Sequence, residues 1–388
     1  MDDIITLDYG SGGQKTSELI DSILLPALHN PALSVLGDGA ILDGREKLVF
    51  STDSFVVSPW RFPGGDIGRL AVCGTVNDVC MAGGSPKYLS LSFILEEGFP
   101  VRDLKEIVCS IADEAKKTGV IIATGDTKVV ERGKGDGIYI NTAGIGFLCA
   151  PGLGRDKIRE GDAVILSGSA GCHGAAVMMA RAGLIPTGTT LTDDSISDGA
   201  CQNGALRSDC RPLHELSRAA LKAGGAVFTG ASADSANSAR TFCTSAGTSA
   251  DSAGTSADSA ASSGAIRILR DPTRGGVATT LNEFVEGTSL TIELDEKSIP
   301  VDPAVEAACD LLGLDPLYCA CEGRMLAVAA PEKAEAIVEA LRKVSGGEQA
   351  AVIGTVTGRR PGQVILTTRL GGSRLLTKLS GQQLPRIC

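Results

Sequence analysis

Aromatic residues are scarce in this chain, 4% of 388 positions with a single tryptophan, so an interior holding much of its 43% hydrophobic content must be mostly aliphatic. Positive charge is also in deficit. The 46 Asp and Glu outnumber the 36 Lys and Arg, for a formal charge of -10, and the electrostatic footprint of a nucleic-acid binder is missing, although an acidic protein can still hold anions locally. No uncharged apolar run reaches the ~20 residues of a membrane span. The opening MDDIITLDYG lacks the basic and apolar stretches of a signal peptide, so a soluble cytoplasmic chain is expected. Neither GxxxxGK[ST] nor a strand-linked GxGxxG occurs, which requires any nucleotide site to be of another design.

The 12 cysteines form no paired CxxC cluster and no compact disulfide framework. They read as buried apolar residues in a reducing compartment. Cys73 and Cys80 fit one buried helical face, and Cys319 and Cys321 alternate as on a strand. Cys388 is the exception, because no backbone follows it.

What is present fits two domains rather than one core. Helical spacing at Leu19, Ile20, Ile23 and Leu24 predicts a helix over 16–29, with Thr16 or Ser17 as N-cap. KLVFSTDSFVV reads as a strand leading into a polar loop at Asp53, GDIGRLAVCGTVNDVCMAGG as a helix with a glycine stop, and KYLSLSFIL, GVIIATGD and GIYINTAGIGFL as strands around a helix over about 101–117. Mixed hairpin-like strands and helices indicate an α+β class. Residues 1–150 are expected to be one domain and 151–370 a second. Within the second, 224–264 is Gly/Ala/Ser/Thr-rich, repeats GTSADSA, and reads as a disordered insertion, removable over 225–263 without loss of folding. Residues 371–388 read as a mobile tail.

Polar segments mark where chemistry could sit: GSGG (10–13), GDGA (37–40), STDS (51–54) and TGDTK (124–128). Asn77 and Asp78 lie inside an otherwise apolar helix, where an aspartate needs a buried partner or a metal ion. Asp38, Asp53, Asp78 and Asp126 would supply hard oxygen ligands for Mg²⁺, with Lys128 meeting a phosphate. Taken singly, each segment is equally readable as turn chemistry. RDPTRGG (270–276) is either an ordinary helix start or a phosphate site using Arg274. His173 is either structural or an acid/base group, and Glu322 is either a paired structural carboxylate or a ligand.

Taken together, GSGGQ, STDSFVVSPWRFPGGDIGRLAVCGTVNDV, ILEEG, TGDTKVV, INTAGIG, RDPTRGGV, LLGLDPL, EGR and the terminal PRIC resemble the HypE family of hydrogenase maturation proteins. That family lies within the ATP-binding group of aminoimidazole ribonucleotide synthetase and selenophosphate synthetase. The resemblance covers nearly the whole chain outside the insertion. It implies a homodimer of two-domain α+β subunits, with the N-terminal domain binding ATP and Mg²⁺ and forming the dimer. It also implies a carbamoyltransferase partner, HypF, that loads a carbamoyl group onto the terminal cysteine, and an iron-carrying HypC–HypD scaffold that receives cyanide for [NiFe] hydrogenase. ATP would drive dehydration of the carbamoyl group to a thiocyanate.

Carried over by motif, Asp38, Asp78 and Asp126 are the implied metal ligands. Gly12, Gly13, Asp53, Asn77, Thr127, Lys128 and Arg274 would bind nucleotide, and Cys388, Lys128, Glu322 and His173 would serve catalysis. The chain departs from the family pattern at Gly37, Cys172 and Cys321, which weakens the case for His173. Alternatives are a nucleotide-binding carrier whose terminal thiol only a partner modifies, and a relative making selenophosphate or an aminoimidazole nucleotide. In the terminal PRIC, Pro385 would stiffen the approach and Ile387 give an apolar grip. The α-carboxylate should raise the thiol pKa and Arg386 partly oppose it.

Overall fold

The apolar run around Asn77 and Asp78 becomes a helix buried on nearly every side, and the rest of the architecture is arranged about it. The structure, a computed structural model, describes residues 3–10, 14–33, 42–187, 205–228, 262–379 and 386–388. Gly12, Gly13, Asp38, the departure at Gly37, Pro385 and most of the expected insertion lie outside the described residues.

In the first domain, α1 (Gln14–Leu19) and α2 (Leu25–Leu28) flank a π turn, so the expected helix over 16–29 is present with an earlier start. Strand β1 (Leu48–Phe55) is followed by the two-residue strands β2 (Arg61–Phe62) and β3 (Gly65–Asp66). Then come α3 (Ile67–Met81), β4 (Gly84–Glu96), α4 (Val101–Thr118), β5 (Ile121–Val130) and β6 (Ile138–Leu148). The four long strands form one sheet in the order β1-β6-β4-β5, antiparallel except for the parallel β4/β5 pair. Helix α3 lies on one face of it. Asp66 caps α3 by accepting from Arg69 N–H at 2.9 Å, and Gly68 permits the close crossing of α4, since a Cβ there would stand 2.5 Å from the Ile107 carbonyl oxygen.

The second domain runs β7 (Ala163–Leu166), α5 (Cys172–Arg181), α6 (His214–Ala223), β8 (Ile266–Arg270), α7 (Gly276–Val285), β9 (Thr291–Asp295), α8 (Pro303–Leu312), β10 (Leu326–Ala329), α9 (Pro331–Leu341), β11 (Ala351–Thr357), β12 (Val364–Thr367) and β13 (Ser373–Leu376). Its seven-stranded sheet has the order β13-β12-β9-β11-β7-β10-β8. Two separated mixed sheets with helices make this a two-domain α+β fold.

Several expectations change. TGDTK does not end a strand; it lies inside β5, where pairing with β4 from Tyr88↔Ile121 to Glu96↔Val130 overrides the weak strand propensity of Gly and Asp. Asp53 is likewise within β1, not in a loop. Cys319 and Cys321 lie in an irregular segment between Tyr318 and Leu326, not on a strand. Cys109 is exposed on α4 and Cys149 half-buried, against the expectation of burial. The tail is not mobile from 371: Ser373–Leu376 pairs with β12, and the terminal residues pack back onto the chain. Val227 and Ser262, both inside the expected insertion, bond to each other's backbone at 3.0 and 3.1 Å.

Candidate active site

Alternation along β1 sends Ser51 and Asp53 toward α3, and Phe50, Thr52 and Ser54 to the other face. On α3, Asp78 accepts from Ser51 Oγ at 2.6 Å, and Thr75 Oγ1 lies 3.5 Å from Asp53 Oδ2. Burial, and then the nearby Asp78, push the Asp53 carboxyl up to about 6, with Thr75 and Arg274 opposing. Asp271, at the end of β8, is pushed up to about 7, first by burial and then by Asp78. Glu322 is buried and held well above the usual carboxylate range by desolvation, Asp271 and Asp209. Its Oε1 has no hydrogen-bond partner among the described residues. Beside these groups, a cleft of about 350 Å³ is lined by Ser51, Asp78 and Arg270 together with Met81, Leu153 and Ile268.

The C-terminus returns to this region. The Arg386 carbonyl accepts from Ser58 N–H at 3.2 Å and from Arg181 Nη2 at 2.6 Å, while Arg181 Nε also donates to the Ser58 carbonyl at 2.8 Å. His173 Nε2 lies 2.7 Å from the Ile387 carbonyl oxygen, and the Ile387 side chain is 1% exposed, the apolar grip expected of it. Arg274 Nη2 donates to Cys388 Sγ at 3.8 Å. The thiol is pushed up to about 12 by burial and then by Glu322, and Arg274 opposes. The opposing arginine is therefore Arg274, not Arg386, which instead pairs with Asp136. Arg274 is placed by the glycines after it. Gly275 and Gly276 have φ of 82° and 61°, and a Cβ on Gly276 would stand 2.5 Å from the Leu317 carbonyl oxygen.

Asp53, Asp78, Arg274, Glu322 and Cys388 are thus neighbours, drawn from both domains and the terminus. Others are placed elsewhere. Asn77 is fully buried, and its amide is committed to second-domain backbone: Nδ2 donates to the Arg211 and Glu322 carbonyls at 3.1 and 3.4 Å, and Oδ1 accepts from Leu213 N–H at 2.7 Å. It clamps the two domains together, with both amide hydrogens committed to second-domain carbonyls. Asp126 and Lys128 pair at 2.7 Å and are both more than half exposed. Asp126 is in register with Ser92, Asn141 and Ser54, on the sheet face away from α3, so within one chain the sheet separates them from Asp53. Thr127 is half-buried between them. His173 has both ring nitrogens engaged, Nδ1 with Ser208 Oγ at 2.7 Å and Nε2 with the tail.

The departures Cys172 and Cys321 are buried in the second domain. The Cys321 sulfur accepts from Gly171 N–H at 3.1 Å. Sequence reasoning passed over Asp271, although it stands in the RDPTRGG segment. Asp209, which accepts from Glu322 N–H at 3.2 Å, and Ser208 were missed because they lie in an irregular stretch without periodicity. Among the described residues no group of three His, Cys, Asp or Glu side chains converges as a ready metal site.

The chain is similar to known proteins along both domains. The model "AIR synthase related protein, N-terminal domain" matches residues 36–148, and "AIR synthase related protein, C-terminal domain" matches 253–367, beginning inside the expected insertion. The carbamoyl dehydratase HypE of Azotobacter vinelandii is 42% identical over 387 residues, 99% of this chain and 97% of that one. A crystal structure of the hydrogenase maturation protein HypE in complex with ATP superposes with a TM-score of 0.82 at 40% identity, covering 99% of both chains. The matching chain of a HypE–HypF complex gives 0.68 at 37% identity, with 93% of this chain and 99% of that one covered. With both halves of the AIR synthase related fold present in order, and identity sustained along nearly its whole length, the chain belongs to the HypE family of hydrogenase maturation proteins, the carbamoyl dehydratases.

Proposed function

We propose that the chain dehydrates a carbamoyl group carried on its own Cys388, using ATP, and so yields a thiocyanate that supplies cyanide to [NiFe] hydrogenase. The observation that carries the reading is the position of the Cys388 sulfur, at the end of its own chain yet seated beside Arg274 and Glu322. A carrier thiol needs a reaction seat, and this one lies beside a cation and a buried carboxylate.

The chemistry balances without a redox partner. The carbamoyl oxygen attacks the γ-phosphorus of ATP and ADP leaves; two N–H protons are then lost and phosphate departs with the C–O electron pair, leaving S–C≡N. The oxygen of an amide is a poor leaving group until phosphorylated, so the protein's contribution is positioning and charge. Arg274 stands where negative charge develops. Glu322, buried with an unpartnered oxygen, has the raised proton affinity suited to accept an N–H proton when ionised. Asp53 and Asp78 are hard oxygen donors whose mutual repulsion a cation would relieve, so they suit Mg²⁺, which usually adds only a few carboxylates to phosphate and water ligands. Bound there, Mg²⁺ would neutralise phosphate charge. The part-polar, part-apolar cleft by Ser51 and Asp78 fits a nucleotide.

Asp126 and Lys128 belong to the open face of the first sheet. There Phe50, Ile145, Tyr88 and Ile121 stand in register across all four strands. Phe50 is 67% exposed. A second copy of the chain covering that apolar row makes a homodimer, and brings Lys128 and Asp126 of one copy to the nucleotide of the other. The carbamoyl donor is HypF, consistent with the HypE–HypF relative, and the HypC–HypD scaffold is the acceptor. Among the described residues no helix is long and apolar enough to cross a membrane.

The test is ATP hydrolysis by the full chain before and after carbamoylation of Cys388. Turnover appearing only with the carbamoylated chain, stoichiometric with it, supports the reading; equal turnover by an uncarbamoylated or Cys388→Ala chain contradicts it.

A further inference from the structure

Apart from the Arg274 contact to the sulfur and the Arg386–Asp136 ion pair, the described hydrogen bonds that seat the terminus end on main chain. Arg181 and Ser58 N–H converge on the Arg386 carbonyl, and His173 meets the Ile387 carbonyl at 2.7 Å. These are the last two peptide carbonyls of the chain, and neither contact reaches the sulfur. We propose that His173 and Arg181 are positioning residues that seat the C-terminus by its backbone, so that one seat serves the tail whatever group its sulfur carries.

The protonation of the ring follows from its partners. A carbonyl oxygen only accepts, so Nε2 carries the hydrogen and Nδ1 is the acceptor. Ser208 Oγ then donates to Nδ1, while its own lone pair accepts from Cys210 N–H at 3.0 Å. Phe62 packs edge-on against the imidazole with ring centres 5.2 Å apart and fixes its plane. The ring is fully buried, and burial lowers its pKa, so it stays the neutral single donor that this chain of bonds requires. Arg181 is tied to the Ser58 carbonyl at 2.8 Å and so holds a fixed aim at Arg386. A carrier whose sulfur is in turn a thiol, a thiocarbamate and a thiocyanate gains from such a seat, because discrimination between states is left to the groups around Sγ, Arg274 and Glu322.

The assignment rests on Cys388 as the reacting thiol, yet its test uses neither ATP nor a partner, so the two readings fail separately. The full chain is alkylated with iodoacetamide and the labelling of Cys388 is followed by mass, with exposed Cys109 as the internal control. His173→Leu and Arg181→Met should each raise the Cys388 rate roughly ten- to hundredfold, as expected for loss of buried hydrogen bonds, with Cys109 unchanged. His173→Gln, which keeps a donor near Nε2, should return most of the protection. In a second arm, Cys388 is capped as its methyl disulfide with methyl methanethiosulfonate, and trypsin cleavage of the Arg386–Ile387 bond is compared with that in the uncapped chain. Equal protection is expected. Wild-type Cys388 reactivity in both His173→Leu and Arg181→Met, or loss of trypsin protection on capping, overturns the proposal; Arg181→Met keeps the first arm decisive if His173→Leu does not fold.

Discussion

Arg274 donates to the sulfur of Cys388 across 3.8 Å, one of the contacts through which the second domain meets the chain's own terminus. The same guanidinium opposes the raised proton affinity of both Cys388 and Asp53. It therefore bridges the thiol and the carboxylate edge of the site with one positive charge.

Removing that charge should harm chemistry more than folding. Arg274→Met is expected to slow conversion of the carbamoylated tail roughly 100-fold, the scale of losing one donor aimed at developing charge. Single-turnover measurement by mass reads it, and a rate within about threefold of the unmodified chain would remove Arg274 from the mechanism.

The carboxylates predict an unusual response to pH. Asp53 and Asp271 titrate at about 6 and about 7 in the folded chain, above the ~4 of an unfolded aspartate. Between those limits these two groups bind more protons in the folded state than in the unfolded one, so their contribution to stability falls as pH rises from about 4 to about 7. Asp271→Asn, which removes the charge and keeps the shape, should raise the nucleotide-free melting temperature at pH 7.5 by ~2–4 °C per kcal/mol relieved and leave it nearly unchanged at pH 4.5. An equal shift at both pH values would contradict the assignment.

Asn77 ties the two domains together through its amide. Asn77→Ala strands the Arg211 carbonyl and the Leu213 N–H, while the Glu322 carbonyl keeps Arg211 N–H as a donor, at a cost of about 2–3 kcal/mol. Thermal melts should show that loss, while ATP affinity at a temperature where the variant is folded should change little. Unchanged melting with lost ATP binding would restore Asn77 as a ligand.

If Lys128 acts across the open sheet face, defects in different copies should complement. Lys128→Met and Cys388→Ala chains are each expected to be inactive, and mixed after separation into monomers they should recover thiocyanate formation. A mixture as inactive as its parents would place Lys128 in its own chain's site or outside it.

How far these features are legible in sequence depends on which forces place them. Asp78 stood out because an aspartate inside an apolar helix needs a reason, and Ser51 with the neighbouring carboxylates supplies it. The terminal cysteine stood out for want of any structural role. Asn77 shared the signal of Asp78, and only the fold separates them: successive residues on a helix point about 100° apart, so one meets β1 and the other the second domain. TGDTK was misplaced because Gly125 looks like a turn; it is there because a Cβ would approach the Leu91 carbonyl oxygen within 2.5 Å. The tail's seat was invisible, since His173 and Arg181 recognise it through contacts more than 200 residues apart in sequence, and no local pattern encodes such contacts.

The most direct test of the account is the mass of the C-terminal peptide after carbamoylation by the partner, taken with and without ATP and Mg²⁺. Loss of one water on adding ATP, confined to Cys388, with cyanide released by an added thiol, is the predicted result. A carbamoyl group that stays intact while ATP is bound would show that the chain carries the group without dehydrating it.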